Sequence, residues 1–317
     1  MKKIELFLSI FIIFIFSWNP NFMYGYIIGP DEGQHLAWIS EMLHGKVLYK
    51  DIYMFYGPLL EFMPIMFMKM VGISLANLRL FYMLSKIFTL IVAFLILHLV
   101  LKRRAFLYLS LLILVVTQIS DFWSTRWGGP RLVFGLVALY FLILYFQTQN
   151  RPWLFTAGIS SGISFFTSHE VGIFIIAASI VSIIVFAVQE SKNIDLKRCV
   201  TLFLWYILGF LIIAFPMLLY LIIKGAFTDY IKIMFWDLPF KYSKVFGQSG
   251  FNLTLFKNLS SIFRDPFHFI SYYSIKFLIV LAIYLIGVIY ILFFHGFRVK
   301  DKNNLAILLV IFSGAPL

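Results

Sequence analysis

From Leu75 to Leu101 the chain reads LANLRLFYMLSKIFTLIVAFLILHLVL, and Lys102-Arg103-Arg104 follows at once. A run of this kind is what the hydrocarbon core of a bilayer demands, since ~20 apolar residues of helix cover its ~30 Å. The basic triplet behind it marks a cytoplasmic edge. Working outward, further runs of the same character are Ile4–Met23, Ala105–Ser120, Leu132–Gln147, Trp153–Thr167, Val171–Val188, Val200–Ile223, Ile275–Phe294 and one from Leu305. The expected fold is all-α: a polytopic transmembrane helix bundle of about eight to nine spans. The final run stops at Pro316-Leu317, too short to span, so residues 1–317 read as one transmembrane domain truncated at its C-terminus.

Composition agrees with this. The 317 residues are 62% hydrophobic and 13% charged, with mean hydropathy +0.94. Soluble domains are roughly half apolar and about a quarter charged, so a soluble helical protein is excluded as the main reading. The formal charge of +12 has no basic stripe on a soluble domain to present it, and nucleic acid is not an expected partner. Cytoplasmic loop charge and anionic headgroups account for it. A single cysteine, Cys199, rules out an intrachain disulfide and any multi-cysteine metal site. No small-x-small cleavage site follows the first apolar run, where Trp18-Asn19-Pro20 stands instead, so the first helix is retained rather than removed as a signal peptide.

The basic residues orient the chain. With Lys2 and Lys3 inside, the cytoplasmic turns carry Lys102-Arg103-Arg104, then Arg151, then Lys192, Lys197 and Arg198, then Arg298, Lys300 and Lys302. Ten of the fourteen acids fall on the other side: Asp31, Glu32, Glu41, Asp51, Glu61, Asp121, Glu170, Asp229, Asp237 and Asp265. The spans hold few ionisable groups, Lys86, His98 and little else. Two outer segments are long enough to fold. The first, 24–74, carries helices expected at Asp31–Leu43 and Pro58–Val71, the second too apolar for a solvated loop and so interfacial. The second, 224–274, mixes aromatics with Lys and Arg and is expected to hold one or two short helices.

The first outer loop holds Pro30-Asp31-Glu32-Gly33-Gln34-His35, then Gly45-Lys46-Val47-Leu48-Tyr49-Lys50-Asp51, then Phe55-Tyr56-Gly57-Pro58-Leu59. On position alone, Asp31 caps a helix whose N-terminus favours carboxylates. In order, however, the acidic pair after a first transmembrane helix, G-x-x-x-Y-[KR]-D and Y-G-P-L resemble the GT-C class of membrane glycosyltransferases. The nearest likeness is to the bacterial branch akin to protein O-mannosyltransferases and the lipid A aminoarabinose transferase. The resemblance runs from the first helix to about Gly172.

That resemblance implies transfer of a sugar from a polyprenyl-phosphate donor to a lipid, glycan or protein acceptor on the extracytoplasmic face, with inversion. It implies Asp31 as general base toward the acceptor hydroxyl and Glu32 as its acidic neighbour. A hydroxyl is a weak nucleophile near neutral pH, and a positioned carboxylate can take its proton. Charge developing on the leaving phosphate calls for cations or hydrogen-bond donors.

Around these stand the expected substrate-binding residues. Tyr49 and Asp51 match the family's Y-R-D motif, Asp51 holding the loop or an acceptor hydroxyl. Asp121 reads either as a loop acid or as a pocket residue on the same face. Arg126 and Arg131 flank Gly128-Gly129-Pro130 as headgroup anchors or phosphate ligands. His169 and Glu170 occupy an outer turn where the resembling families place a lysine near the donor phosphate, so the donor side departs from the pattern. Lys232, Lys241, Lys244 and Arg264 read as interfacial anchors or headgroup ligands. The sequence has no Gly-rich phosphate loop, no HExxH and no metal-ligand cluster. No cofactor or metal is therefore expected, although some members of the class use a divalent ion. Two other classes stay open: a transporter or flippase for a lipid-linked glycan, and a non-catalytic membrane scaffold.

Overall fold

The computed structural model describes residues 3–24, 29–101, 103–119, 124–190 and 196–242. Among these the fold is all-α without a sheet; the one departure from helix and loop is an isolated bridge between Leu48 and Ile52. The helices are α1 (Lys3–Ser17), α2 (Gly29–Leu43), α3 (Leu59–Val71), α4 (Leu75–Val100), α5 (Arg104–Ile119), α6 (Ser124–Thr148), α7 (Arg151–Thr167), α8 (His169–Glu190), α9 (Leu196–Ile223) and α10 (Phe227–Lys232), the last running into a π-helical stretch, Ile233–Tyr242. Three are long and apolar enough to cross a membrane, over Leu75–Val100, Gly129–Thr148 and Lys197–Ile223. Shorter apolar helices cover Ile4–Ser17, Arg104–Val116 and His169–Ile184. The expected spans Ile275–Phe294 and from Leu305 lie outside the described residues, as does the outer segment beyond Tyr242.

The helix edges follow local chemistry. α4 starts where the Ser74 side chain accepts the Asn77 amide at 3.2 Å, an N-cap that satisfies a first-turn donor. Asn77 in turn donates to Gly72 O at 2.8 Å and seals the α3–α4 corner. The first expected span, Ile4–Met23, is broken in two: α1 stops at Ser17, and Pro20–Met23 forms a 3₁₀ turn, because Pro20 cannot continue the helical hydrogen bonding. The fourth expected span is longer than its apolar core: α6 begins at Ser124 and runs through Gly128-Gly129-Pro130, read in the sequence as a loop. Gly129 supplies the reason. A Cβ there would lie 2.7 Å from the Lys86 amide nitrogen, so α6 is pressed against α4 at this level and the packing overrides the local breaker.

Direction along the bundle is fixed by contacts at both ends. Thr89 Oγ1 donates to Gly129 O at 3.2 Å, and Gln147 Nε2 donates to Leu99 O at 3.3 Å, so α4 and α6 run side by side the same way. α7 and α9 return and α8 descends. One end of the bundle therefore gathers α2, α3, α10 and the α7–α8 turn; the other gathers the α6–α7 corner and the start of α9.

α7 is the central helix. Its small residues Ala157, Gly158, Ser160, Ser161, Gly162 and Ser164 are buried. A Cβ on Gly158 would sit 2.0 Å from Tyr206 O, and one on Gly209 2.1 Å from Phe155 O, so α7 and α9 touch backbone to backbone. The Tyr206 hydroxyl closes the contact by donating to Ser161 Oγ at 2.7 Å. Between apolar helices in lipid such close packing, rather than apolar burial, drives association. The main core, around Leu142, Phe146, Leu154 and Tyr206, surrounds this seam. Apolar side chains also face outward, including Phe7 and Phe11 on α1, Leu109 and Leu112 on α5, and Leu208 and Phe215 on α9. A bilayer solvates such a surface; water does not.

Candidate functional site

α2 opens with Gly29-Pro30-Asp31-Glu32. Proline early in a helix lacks only an amide that would have had no partner. The Asp31 backbone belongs to this first turn, while its side chain, like that of Arg126 at the start of α6, is outside the described set; Asp121 is outside it altogether. Glu32 is described in full. Its carboxylate takes two hydrogen bonds from Arg79 of α4, Nε to Oε1 at 2.8 Å and Nη2 to Oε2 at 2.9 Å. Glu32 is 4% exposed and Arg79 not at all.

Three residues along α2, on the same face, His35 Nδ1 is hydrogen-bonded to Glu61 Oε1 of α3, again out of solvent. Trp38 lies edge-on to the His35 ring at 5.3 Å, and Tyr82 of α4 is at 6.3 Å on another side. Two buried polar ties thus bolt the first turns of α2 to α3 and α4. Among the described residues, Glu61 Oε2 and the Tyr82 hydroxyl find no hydrogen-bond partner.

The G-x-x-x-Y-K-D motif makes a self-closed loop. Gly45 donates to Met42 O and Lys46 to Glu41 O, ending α2 in a Schellman pattern. Asp51 Oδ2 accepts the Val47 amide at 2.8 Å, while the Asp51 amide donates back to Val47 O at 2.9 Å. Asp51 thus closes the loop with both its side chain and its amide. Tyr49 adopts φ +69°, an uncommon backbone for a residue with a Cβ. It is buried, and its hydroxyl donates to Tyr56 O at 2.5 Å. Burial first, then the neighbouring Tyr230 and Glu61, hold its phenol well above the ordinary tyrosine range, so it stays a neutral donor. Gly57 of Y-G-P-L allows the loop to press onto α7: a Cβ would lie 2.1 Å from Phe166 O.

The turn between α7 and α8 completes the arrangement. His169 Nε2 and the Tyr230 hydroxyl of α10 are 2.7 Å apart, and the Tyr230 ring meets that of Tyr49 edge-on at 5.0 Å. Burial pushes the Tyr230 phenol up as well. Glu170 pairs with Arg131 Nη2. The same guanidinium lies 5.0 Å over the Tyr56 ring and reaches Ser168 Oγ at 3.5 Å. Arg131 thus brings a cation from α6 to this turn.

The fold therefore joins Tyr49, His169, Glu170 and Arg131 through Tyr56 and Tyr230. Glu32 is set in a separate tie to α4, and Asp51 faces solvent on its own loop. Arg79, His35, Glu61 and Tyr230 were not singled out in the sequence. The available signal was an ionisable residue inside an apolar run, true of Arg79 and Glu61, since such groups demand a partner. Among the described residues no three His, Cys, Asp or Glu come together as a metal site, so no residue is assigned as a metal ligand. Comparison with protein families, with characterised proteins and with solved structures gives no match for this chain.

Proposed function

We propose that the chain is a multi-pass membrane glycosyltransferase of the GT-C type, with a cytoplasmic N-terminus, about eight to nine spans and an extracytoplasmic site. It takes a sugar from a polyprenyl-phosphate donor. Asp31 accepts the proton of the acceptor hydroxyl as that oxygen bonds to the anomeric carbon. The bond from that carbon to the phosphate oxygen breaks, and the polyprenyl phosphate departs with the electron pair. Glu32 acts by position, holding the helix turn that bears Asp31 against Arg79. Arg131 and Arg126, with His169, are assigned to the donor phosphate, and Glu170 and Asp121 complete the pocket.

The observation that carries this reading is the double fastening of α2: Glu32 to Arg79 and His35 to Glu61, both out of solvent. A catalytic base has to be held within fractions of an ångström of its reacting geometry, and the two ties fix the backbone of Asp31 on rigid elements. The order of the three sequence motifs supports the same assignment.

The test is transfer of labelled sugar from polyprenyl-phosphate donors by the purified full-length protein, wild type against Asp31→Asn. General-base removal is expected to lower turnover about 10²–10⁴-fold with the unfolding midpoint unchanged. Undiminished transfer by Asp31→Asn sinks the assignment.

One observation favours a second reading, a transporter for a lipid-linked glycan. Lys86 is buried ~16 Å along α4 from Leu75, near mid-depth, where an ionisable group marks a substrate or ion path. Flipping of a fluorescent lipid-linked glycan in proteoliposomes, lost in Lys86→Met and retained in Asp31→Asn, would select it over sugar transfer.

A further inference from the structure

At the end of the bundle opposite Asp31, the C-terminus of α6 and the first turns of α7 and α9 border an open cavity of about 390 Å³. Arg151, Lys197 and Arg198 line it together with Gln149, Thr201 and Tyr145. Among the described lining residues none is acidic. Basic side chains gathered around one concave surface raise its positive potential and attract anions.

Surface charge near a membrane edge needs neither a cavity nor a held side chain, and this site has a cavity and a held arginine. Arg198 is half-buried, and its Nη2 reaches Gln149 Oε1 at 3.5 Å. Gln149 follows α6 with φ +59°, in the left-handed region where glycine or asparagine is the inexpensive choice after a helix. The glutamine is explained by its side chain: Nε2 donates to Phe146 O at 3.1 Å while Oε1 holds the arginine. The adjacent start of α7 adds to the potential. The Asn150 side chain makes no capping hydrogen bond, so the first-turn dipole of α7 is not spent on its own cap.

We propose that this cavity is a binding site for a phosphate group, carried by the headgroup of an anionic membrane lipid or by a soluble phosphate compound. Guanidinium groups match phosphate oxygens in pairs, and basic pockets between membrane helices bind lipid headgroups in this way. The volume is of the size that receives a small ligand. The site lies a full length of α7 from Asp31, ~25 Å for 17 residues, and does not depend on sugar transfer.

The experiment uses the purified full-length protein in a neutral detergent and follows the unfolding midpoint during titration. One arm adds phosphatidylglycerol in mixed micelles against phosphatidylcholine; the other adds inorganic phosphate against chloride at equal ionic strength. A saturable upward shift is expected, with its half-saturation concentration raised tenfold or more in Arg198→Gln and in Lys197→Gln. Arg198→Lys keeps most of the response, and Lys69→Gln, on α3 at the other end, keeps all of it. A response confined to the lipid arm identifies a headgroup; one that extends to inorganic phosphate identifies a soluble group. Half-saturation is compared rather than the midpoint itself, so a less stable variant still reports, and Arg151→Gln stands in for one that fails to fold. Equal responses in wild type and all three cavity variants, a response no larger than that to chloride, or no response in either arm overturns the proposal.

Discussion

The two ends of the bundle handle charge in opposite ways. At the α2 end two described cations meet carboxylates: the buried Arg79 holds Glu32, and the part-buried Arg131, packed on the Tyr56 ring, holds the exposed Glu170. At the other end Arg151, Lys197 and Arg198 line one cavity, and Arg198 also donates to Gln149. Paired buried charges fix geometry, because the desolvation penalty of each ion is recovered only in one arrangement. Clustered exposed cations create potential and leave the geometry of whatever they receive open. On the readings proposed above, the first end supplies position, which a catalytic base needs, and the second attraction.

The comparison breaks most readily at Arg79. Arg79→Ala leaves the Glu32 carboxylate buried without its two hydrogen bonds, and a loss of about 3–5 kcal/mol of unfolding free energy is expected. Unfolding in detergent by denaturant titration measures it. Arg79→Met combined with Glu32→Leu removes both charges and is expected to recover most of that loss. If the double variant is as unstable as the single one, the pair does more than compensate itself.

Next in size is the seam that joins the two ends. Gly158→Ala places a methyl 2.0 Å from Tyr206 O on α9, and backbone cannot step aside as a flexible side chain can. Separation of α7 from α9 is expected to cost about 1–3 kcal/mol, seen as a lower thermal midpoint. Because Gly158 itself lines neither the α2 end nor the cavity, both sugar transfer and the phosphate response should survive at temperatures where the variant is folded.

A smaller effect is expected within the α2 end. Tyr230→Phe leaves His169 Nε2 buried without the hydroxyl at 2.7 Å, worth about 1–2 kcal/mol. The aromatic packing of residue 230 against Tyr49 is kept, so donor binding, read as the KM for the polyprenyl-phosphate sugar, is expected to change more than stability does. An unchanged KM would remove His169 from the donor side.

Much of this architecture was legible because it is local. The apolar runs predict α4, α5, α7, α8 and α9 to within a few residues, since hydropathy and the neighbouring Lys and Arg act on the segment that carries them. Two kinds of feature were not. The start of α6 is hidden by Gly128-Gly129-Pro130, a breaker by composition that becomes helix only when Gly129 meets the backbone of α4. The fastening of the site is hidden by distance along the chain: Glu32 and Arg79 are 47 residues apart, and His169 and Tyr230 are 61 apart. No periodicity or spacing rule joins such residues. Asp31 could be picked out from motif order, but what holds its helix turn in place could be seen only once α2, α3 and α4 had been brought together.

The finest distinction within the paired end concerns exposure. Glu170 is 63% exposed at its side chain and Arg131 22%, unlike the fully buried Glu32–Arg79 pair. Glu170→Gln is therefore expected to cost less than about 1 kcal/mol, because water and salt screen the pair. That loss should shrink further as ionic strength rises. Arg131→Gln is expected to cost more than its partner's substitution, since it also removes the stacking on Tyr56 and the contact with Ser168. Equal losses for the two variants would mean that the ion pair is all that Arg131 does. A larger loss for Arg131→Gln, insensitive to salt, would make it a guanidinium held in place by an aromatic ring and kept there for an anion other than Glu170.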